Sequence, residues 1–374
     1  MIRSTLNLVL VLRNANCILL AALAAMISAG CGVNPAKLPP APVQNPLPTP
    51  VDNTIPAVDP VDEQAPEPQE QQQAVEPRLF IANLNGPNVT SYVNPSTVNG
   101  NIAPDTNLQG AQTQLNQPID ILVNSAGQLL VANVRANSVT TYDDAATANG
   151  NLAPDGNVQG AATQLLSPVS LAMNTSEDLL FVANLGGTDD IQVFANTTQA
   201  SFNGNLAPTR TISSAALNNI FAPGINFGAN DDLYVANRGA AQVLVFANAS
   251  SINGTVEPTR IITSTVFVDI DDVFIDGNDN MFVVDFTGFI YTFRNASTLN
   301  GAVEPDLTLQ VPPAVALLSI AVDSNDTGYI TDAGNDAVYS YDNISSLNGA
   351  LAPDRTIQGD NTQLRTPSRL FLVE

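Results

Sequence analysis

Residues 129–150, LLVANVRANSVTTYDDAATANG, recur in close copy along the chain at intervals of about fifty residues. The Asn or Asp that closes the first apolar run falls at Asn83, Asn133, Asn184, Asn237, Asp285 and Asp332, with spacings of 50, 51, 53, 48 and 47 residues. An Asn-Gly pair follows each time, its asparagine at Asn99, Asn149, Asn203, Asn253, Asn300 and Asn348. Two markers that keep step six times define a repeat, and a period in this range belongs to solenoids, propellers or arrays.

Each unit opens with a short β-prone run: LFIAN from Leu79, LLVAN from Leu129, LFVAN from Leu180, LYVAN from Leu233, MFVVD from Met281 and GYITD from Gly328. Bounded by turn formers, these runs are too short for helices. A second run closes on Tyr92, Tyr142, Phe194, Phe246, Phe293 or Tyr341, a regular placement that suits packing between sheets rather than a cofactor box. A connector follows, such as NASSINGTVEP from Asn248 to Pro258, where Asn and Ser can cap one helical turn and Gly can leave it left-handed. Sequons such as Asn248-Ala249-Ser250 are read as caps ahead of glycosylation sites. A third strand follows a proline, Pro208 leading into TRTI, Pro258 into TRII and Pro353 into DRTI. The fourth is of the type PIDILVN from Pro118, PVSLAMN from Pro168, DDVFID from Asp271, SIAVD from Ser319 and PSRLFLV from Pro367.

Four strands per unit, no long helix and six units predict an all-β fold, a six-bladed β-propeller of four-stranded blades over residues 78–374. A β-solenoid would need a much shorter period. The first unit lacks a PIDILVN-type strand in front of it, and the chain stops after PSRLFLV. The C-terminal strand is therefore expected to complete the first blade and close the ring, removing an open sheet edge.

The unit PxxIxVDxxGxLYVANxxxNxVxxF resembles NHL-type and YVTN-type repeats of bacterial six- and seven-bladed propellers. Ser319–Asp342, SIAVDSNDTGYITDAGNDAVYSYD, carries that resemblance best. It covers the chain from Arg78 onward and implies a fold more than an activity, because such propellers include binding proteins, scaffolds and a minority of enzymes. WD40 and kelch repeats fit less well, since the chain has no Trp and its only Gly-Gly is Gly186-Gly187.

In front of the repeats, Arg3 and Arg13 precede ILLAALAAMISAGC, an apolar run from Ile18 to Ala29 that ends in small residues. This is the pattern of a signal peptide over residues 1–31. Ser28-Ala29-Gly30-Cys31 resembles the lipobox of bacterial lipoproteins, which implies lipidation of Cys31; Ser28 departs from the usual Leu. Ordinary signal-peptide cleavage with a periplasmic or secreted product is the competing reading. An uncleaved span fits less well, the run being shorter than about 18 residues. Gly32, in place of the Asp that marks inner-membrane retention in many such lipoproteins, points to the outer membrane or cell surface. Residues 32–77 are rich in Pro, Gln and Glu and cannot build a core, so they read as a disordered stalk or simply a leader.

From Arg78 onward the chain has 28 Asp and Glu against 9 Arg and no Lys. That surface repels nucleic acid; it keeps the protein soluble and attracts cations or basic partners. The chain has no His, and its two cysteines, Cys17 and Cys31, precede the repeats. Ser-His triads, His-ligated zinc, imidazole catalysis and cysteine nucleophiles are thereby excluded from the domain. Carboxylates, amides and hydroxyls remain, a set suited to Ca²⁺. Six-bladed gluconolactonase-like enzymes hold a metal in the central tunnel with Glu, Asn and Asp. A metal-dependent lactonase or related hydrolase is therefore the enzyme alternative to a module that binds a protein or glycan partner, with the membrane met only through the lipid anchor.

Alignment of the fourth strands places Asp120, Ser170, Gly224, Asp272, Ser319 and Arg369 at equivalent positions near the channel mouth. NHL-like repeats commonly have Gly there, so Asp120, Asp272 and Arg369 form a candidate polar centre, either charge-neutralising or ligand-binding. The crossovers into these strands fall into two sets. QGAQTQLNQP from Gln109, QGAATQLLSP from Gln159 and QGDNTQLRTP from Gln358 are near copies, whereas the segments from Ser213, Thr263 and Gln310 diverge. In a closed ring the divergent three occupy one half of a face, a candidate binding surface. Within it Asp269, Asp271 and Asp272 either share a Ca²⁺ or fan into water, with strand alternation expected to separate Asp271 from its neighbours. Asp276, Asn278 and Asn280 imitate an EF-hand loop, but Met281 replaces its Gly and the stretch reads as a hairpin turn.

Overall fold

The computed structural model describes residues 76–374 except residues 188, 218–222 and 313. Cys31, the signal-like segment and the stalk as far as residue 75 lie outside the described residues. The first strand begins at Arg78.

Six antiparallel sheets succeed one another, each running outward in chain order. Blade 2 consists of Pro118–Val123, Leu129–Asn133, Ser138–Tyr142 and Gly156–Gln159. Blades 3 to 6 begin with the innermost strands Pro168–Met173, Ile225–Phe227, Ile270–Ile275 and Leu317–Val322. Blade 1 takes its innermost strand from the far end of the chain, since Pro367–Val373 pairs with Arg78–Asn83, Phe371 opposite Phe80 and Val373 opposite Arg78. The innermost strands pack on one another in a closed cycle, so the fold is the six-bladed propeller that the repeats predict, shut by its C-terminal strand. Tyr92, Tyr142, Phe194, Phe246, Phe293 and Tyr341 are all buried in the packing between blades.

The two repeat markers have distinct jobs. The Asn or Asp ending the second strand ties down the crossover that enters its own blade. Asn133 accepts from the Asn116 amide at 3.0 Å, Asn184 from Leu166 at 3.1 Å, Asp285 from Val268 at 3.0 Å, Asp332 from Val315 at 3.0 Å and Asn83 from Arg365 at 3.1 Å. Asn237 donates to the Ala216 carbonyl of the crossover into its own blade and accepts from Ala240.

The Asn-Gly pair staples each unit to the outermost strand of the preceding blade. Asn149 accepts from the Asn107 amide at 2.9 Å, and its equivalents Asn203, Asn253, Asn300 and Asn348 do the same one blade further on each time. The adjoining glycine then pairs in parallel with that strand, Gly150 with Leu108 and Gly254 with Ile212. All six glycines have φ between +64° and +92°, a region that residues with a Cβ adopt only under strain. Asn99-Gly100 makes the same staple to Thr356 and Ile357 of blade 6, a second closure of the ring. The connector differs from the expected cap: Asn248 starts the one-turn helix Ala249–Ser251 with left-handed backbone and no side-chain cap bond, and the glycine acts beyond the turn.

Candidate functional site: the floor of the central channel

The innermost strands of blades 2, 3, 5 and 6 each carry a local irregularity where they reach the axis. The register shifts between Pro118 and Asp120, Pro168 and Ser170, Ile270 and Asp272, and Leu317 and Ser319. A β-bulge re-aims the side chain that follows it, and in these four blades that is the aligned position. Asp120, Ser170, Asp272, Ser319 and Arg369 converge, buried, on the lining of one cavity.

Arg369 donates Nη1 to Asp272 Oδ1 at 2.8 Å and to the Leu318 carbonyl at 3.3 Å. Its Nη2 donates to the Asp271 carbonyl at 3.1 Å and lies 3.5 Å from the Asp271 carboxylate. Asp120 accepts from the amides of Ile121 at 2.7 Å and Leu171 at 2.8 Å and from Ser170 Oγ at 2.8 Å. Asp272 accepts from the amides of Val273 at 3.0 Å and Ile320 at 3.3 Å. Gly224 completes the ring by omission: a Cβ there would stand 1.9 Å from Asp272 Oδ1.

Behind this ring lies Arg238, at the start of the turn Arg238–Ala240 in blade 4. Its Nε and Nη2 both donate to Asp269, the latter at 2.8 Å, and its Nη1 donates to Asp271 at 2.8 Å. The guanidinium sits 4.7 Å from the centre of the Phe286 ring. Asp269, Asp271 and Asp272 therefore do not face a common point, and guanidinium groups stand where a shared Ca²⁺ would have to sit. Among the described residues no three Asp, Glu, Cys or His side chains are arranged to hold a metal. The bulge at Asp271 also breaks the expected alternation, so Asp271 and Asp272 are both buried and both reach Arg369.

Four carboxylates thus share two guanidinium groups. Burial pushes the Asp120 carboxyl up to about 6, with Arg369 opposing, and pushes Asp271 up to about 6 against Arg238 and Arg369. Asp272 is raised too, chiefly by burial, with Arg369 again opposing. Desolvation outweighs the ion pairs here because Asp120, Asp271 and Asp272 are all buried and share two guanidinium groups with the half-buried Asp269.

Above the floor the innermost strands line a cavity of about 440 Å³. Two residues on from the ring, on the same face of each strand, stand Leu122, Ala172, Asn226, Phe274, Ala321 and Phe371. Glu177 and Glu374 lie at the far mouth, the first accepting from the Ser125 amide at 2.6 Å and the second from Ser324 Oγ at 2.6 Å. The EF-hand-like stretch is a hairpin turn, its Asp276 accepting from the amides of Asn278 at 2.9 Å and Asn280 at 2.8 Å.

Arg238 was not evident among the sequence candidates, though a signal existed. The residue after the first marker is Leu84, Val134, Leu185, Phe286 or Ala333 in the other units, so an arginine there is a departure from the repeat.

The chain is a six-bladed β-propeller with a charged, buried floor across its channel. No family model matches it, and no curated protein matches it in sequence. Solved structures resemble it in fold. One is a protein of unknown function from Bacteroides caccae, 9% identical, with a TM-score of 0.55 over 80% of this chain and 99% of its own. A chain of the nidogen/laminin complex is 12% identical, with a TM-score of 0.55 over 80% of this chain and 98% of its own. Virginiamycin B lyase from Staphylococcus aureus is similar over 63% of this chain and 69% of its own, at 10% identity and a TM-score of 0.44.

Proposed function

We propose that this propeller is a binding module of the bacterial cell envelope, exported and held by a lipid on Cys31, that engages a protein partner through the divergent crossovers of blades 4, 5 and 6. The observation that carries the reading is on that face. Val268 and Val315 are 66% and 54% exposed, more than the other exposed large hydrophobics among the described residues. They lie in neighbouring divergent crossovers beside the group of Phe286, Ala316, Ala333 and Leu318. Exposed aliphatic side chains beside a packed apolar group and a buried arginine are the makings of a protein-binding patch. The NHL-like and YVTN-like repeat pattern supports a binding role, and the lipobox-like Ser28-Ala29-Gly30-Cys31 supports the anchor. The lactonase alternative draws no support from Asp272, whose carboxylate pairs with Arg369, a cation that would repel a metal there.

A photoreactive amino acid placed at Val268 or Val315 in the native host should give a discrete adduct, and the same group at Gln112 or Ala162 in the matching crossovers should not. Equal labelling from all four positions, or none from the valines, would overturn the reading. The anchor is tested separately: labelled palmitate should enter the wild type and not Cys31→Ser.

A further inference from the structure

The opposite end of the channel has a chemistry of its own. The cavity of about 440 Å³ is of a size to enclose a small organic molecule. Its wall carries three phenyl rings, Phe227, Phe274 and Phe371, among aliphatic side chains, and two amides, Asn174 and Asn226. Its titratable lining is Asp120, Asp272, Glu177 and Glu374 against a single base, Arg369. Behind the floor, Asp269 and Asp271 face Arg238. The Arg369 donors are directed at Asp272, Asp271 and the Leu318 carbonyl, so an anionic ligand would meet carboxylates without an available guanidinium. Asp120 is held by neutral donors, the amides of Ile121 and Leu171 and the Ser170 hydroxyl. An ionised carboxylate offers about four acceptor sites, so a further donor can be taken.

We propose that the channel binds a small organic cation, an amine with an apolar body, through its hairpin-side mouth, with the ammonium on Asp120 and the body against the belt that holds Phe274 and Phe371. The ammonium supplies positive charge that the floor lacks, and the low-dielectric walls strengthen its pairing with Asp120. Glu177 and Glu374 at the mouth draw the cation in. This site is independent of the partner face proposed above, because it opens at the other end of the channel.

Calorimetry on the domain at pH 7.5 with three isosteres decides it: phenethylamine, 2-phenylethanol and 3-phenylpropionate. The amine should bind about tenfold more tightly than the alcohol, a difference expected of one buried charge contact, and the acid should not bind. Asp120→Asn should reduce the amine to the level of the alcohol. Lowering the pH to 5 should weaken the amine as well, because Asp120 gains a proton with a carboxyl pushed up to about 6. Phe274→Leu keeps the bulk of the wall while removing a ring, and should weaken the amine several-fold; it carries the test if Asp120→Asn melts early. An amine that binds no more tightly than the alcohol, an affinity unchanged in both variants, or no saturable binding up to about 10 mM, weaker than any small-molecule site of note, would overturn the proposal.

Discussion

The crossovers 6→1, 1→2 and 2→3 and the crossovers 3→4, 4→5 and 5→6 perform the same topological step by different chemistry. In the first half a neutral device is repeated. Gly359, Gly110 and Gly160 adopt φ of +123° to +130°. The amides of Asn361, Gln112 and Ala162 then donate to Asn101, Asn151 and Asn205 at 2.8, 2.8 and 2.7 Å. A Cβ on any of the three glycines would lie 2.4 to 2.5 Å from that asparagine, so Gln-Gly-x-x-Thr-Gln-Leu in one unit and Asn-Gly-Asn in the next are two parts of one joint. In the second half the third residue of the Asn-Gly marker is Thr255, Ala302 or Ala350, and the joint is absent. The 4→5 crossover is held by charge instead, through Arg238 and its carboxylates, and Arg260 pairs with Asp232 at 2.6 Å in blade 4. One half has kept a uniform joint, and the other has given it up for residues that a scaffold alone does not need.

The largest expected effect lies in the charged half. Arg238→Met leaves Asp269 without its guanidinium and Asp271 with Arg369 alone, and should cost about 3 kcal/mol in urea unfolding at pH 7.5, with a smaller loss at pH 5, where Asp271 is protonated. Next comes the neutral joint: Gly160→Ala should cost about 2 kcal/mol, through its φ of +130° and its approach to Asn205. Asn205→Ala should cost about 1 kcal/mol for one lost cap. The double variant should cost less than the sum, because Asn205→Ala relieves the clash; strict additivity would mean that the two motifs are not one joint. The smallest effect on stability belongs to Val268→Asp, within about 0.5 kcal/mol, while the Val315 adduct of the photolabelling experiment should disappear.

The repeat made the blades, the closure and the aromatic packing legible, because periodicity and turn residues are local signals that six copies average into certainty. The alignment also brought Asp120, Asp272 and Arg369 together, since equivalent positions in a closed ring must meet at its axis. The bulge was not legible. Pro118-Ile119-Asp120 and Ile270-Asp271-Asp272 read as alternating strands, and only pairing with the neighbouring strand shows that one residue is extra. Hence Asp271 was expected to turn away from Asp269 and Asp272, and the ring was placed at a mouth rather than as a buried floor. The Asn-Gly-Asn joint was written in the sequence but spans two units, so comparison of equivalent segments one at a time passes over it. Arg238 was hidden for a related reason, its partners Asp269 and Asp271 lying one blade further along the chain.

The central claim is that the channel floor holds more carboxylate than its arginines can neutralise. The direct measurement is the melting temperature of the domain from pH 7.5 to pH 5 for the wild type and for Asp120→Asn combined with Asp271→Asn. Both carboxyls are raised from 3.8 to about 6 in the folded state. Their contribution to stability is therefore fully present below 3.8 and is lost as the pH rises through 6. The exposed Asp178 and the half-buried Asp342, lowered by hydrogen bonds to Ser176 and Arg355 respectively, act in the opposite sense and stay the same in both proteins. The account predicts that the wild type gains several degrees on acidification to pH 5 and that the double variant gains clearly less. An equal gain in both proteins, or a wild type that loses stability over this range while the variant does likewise, would contradict it.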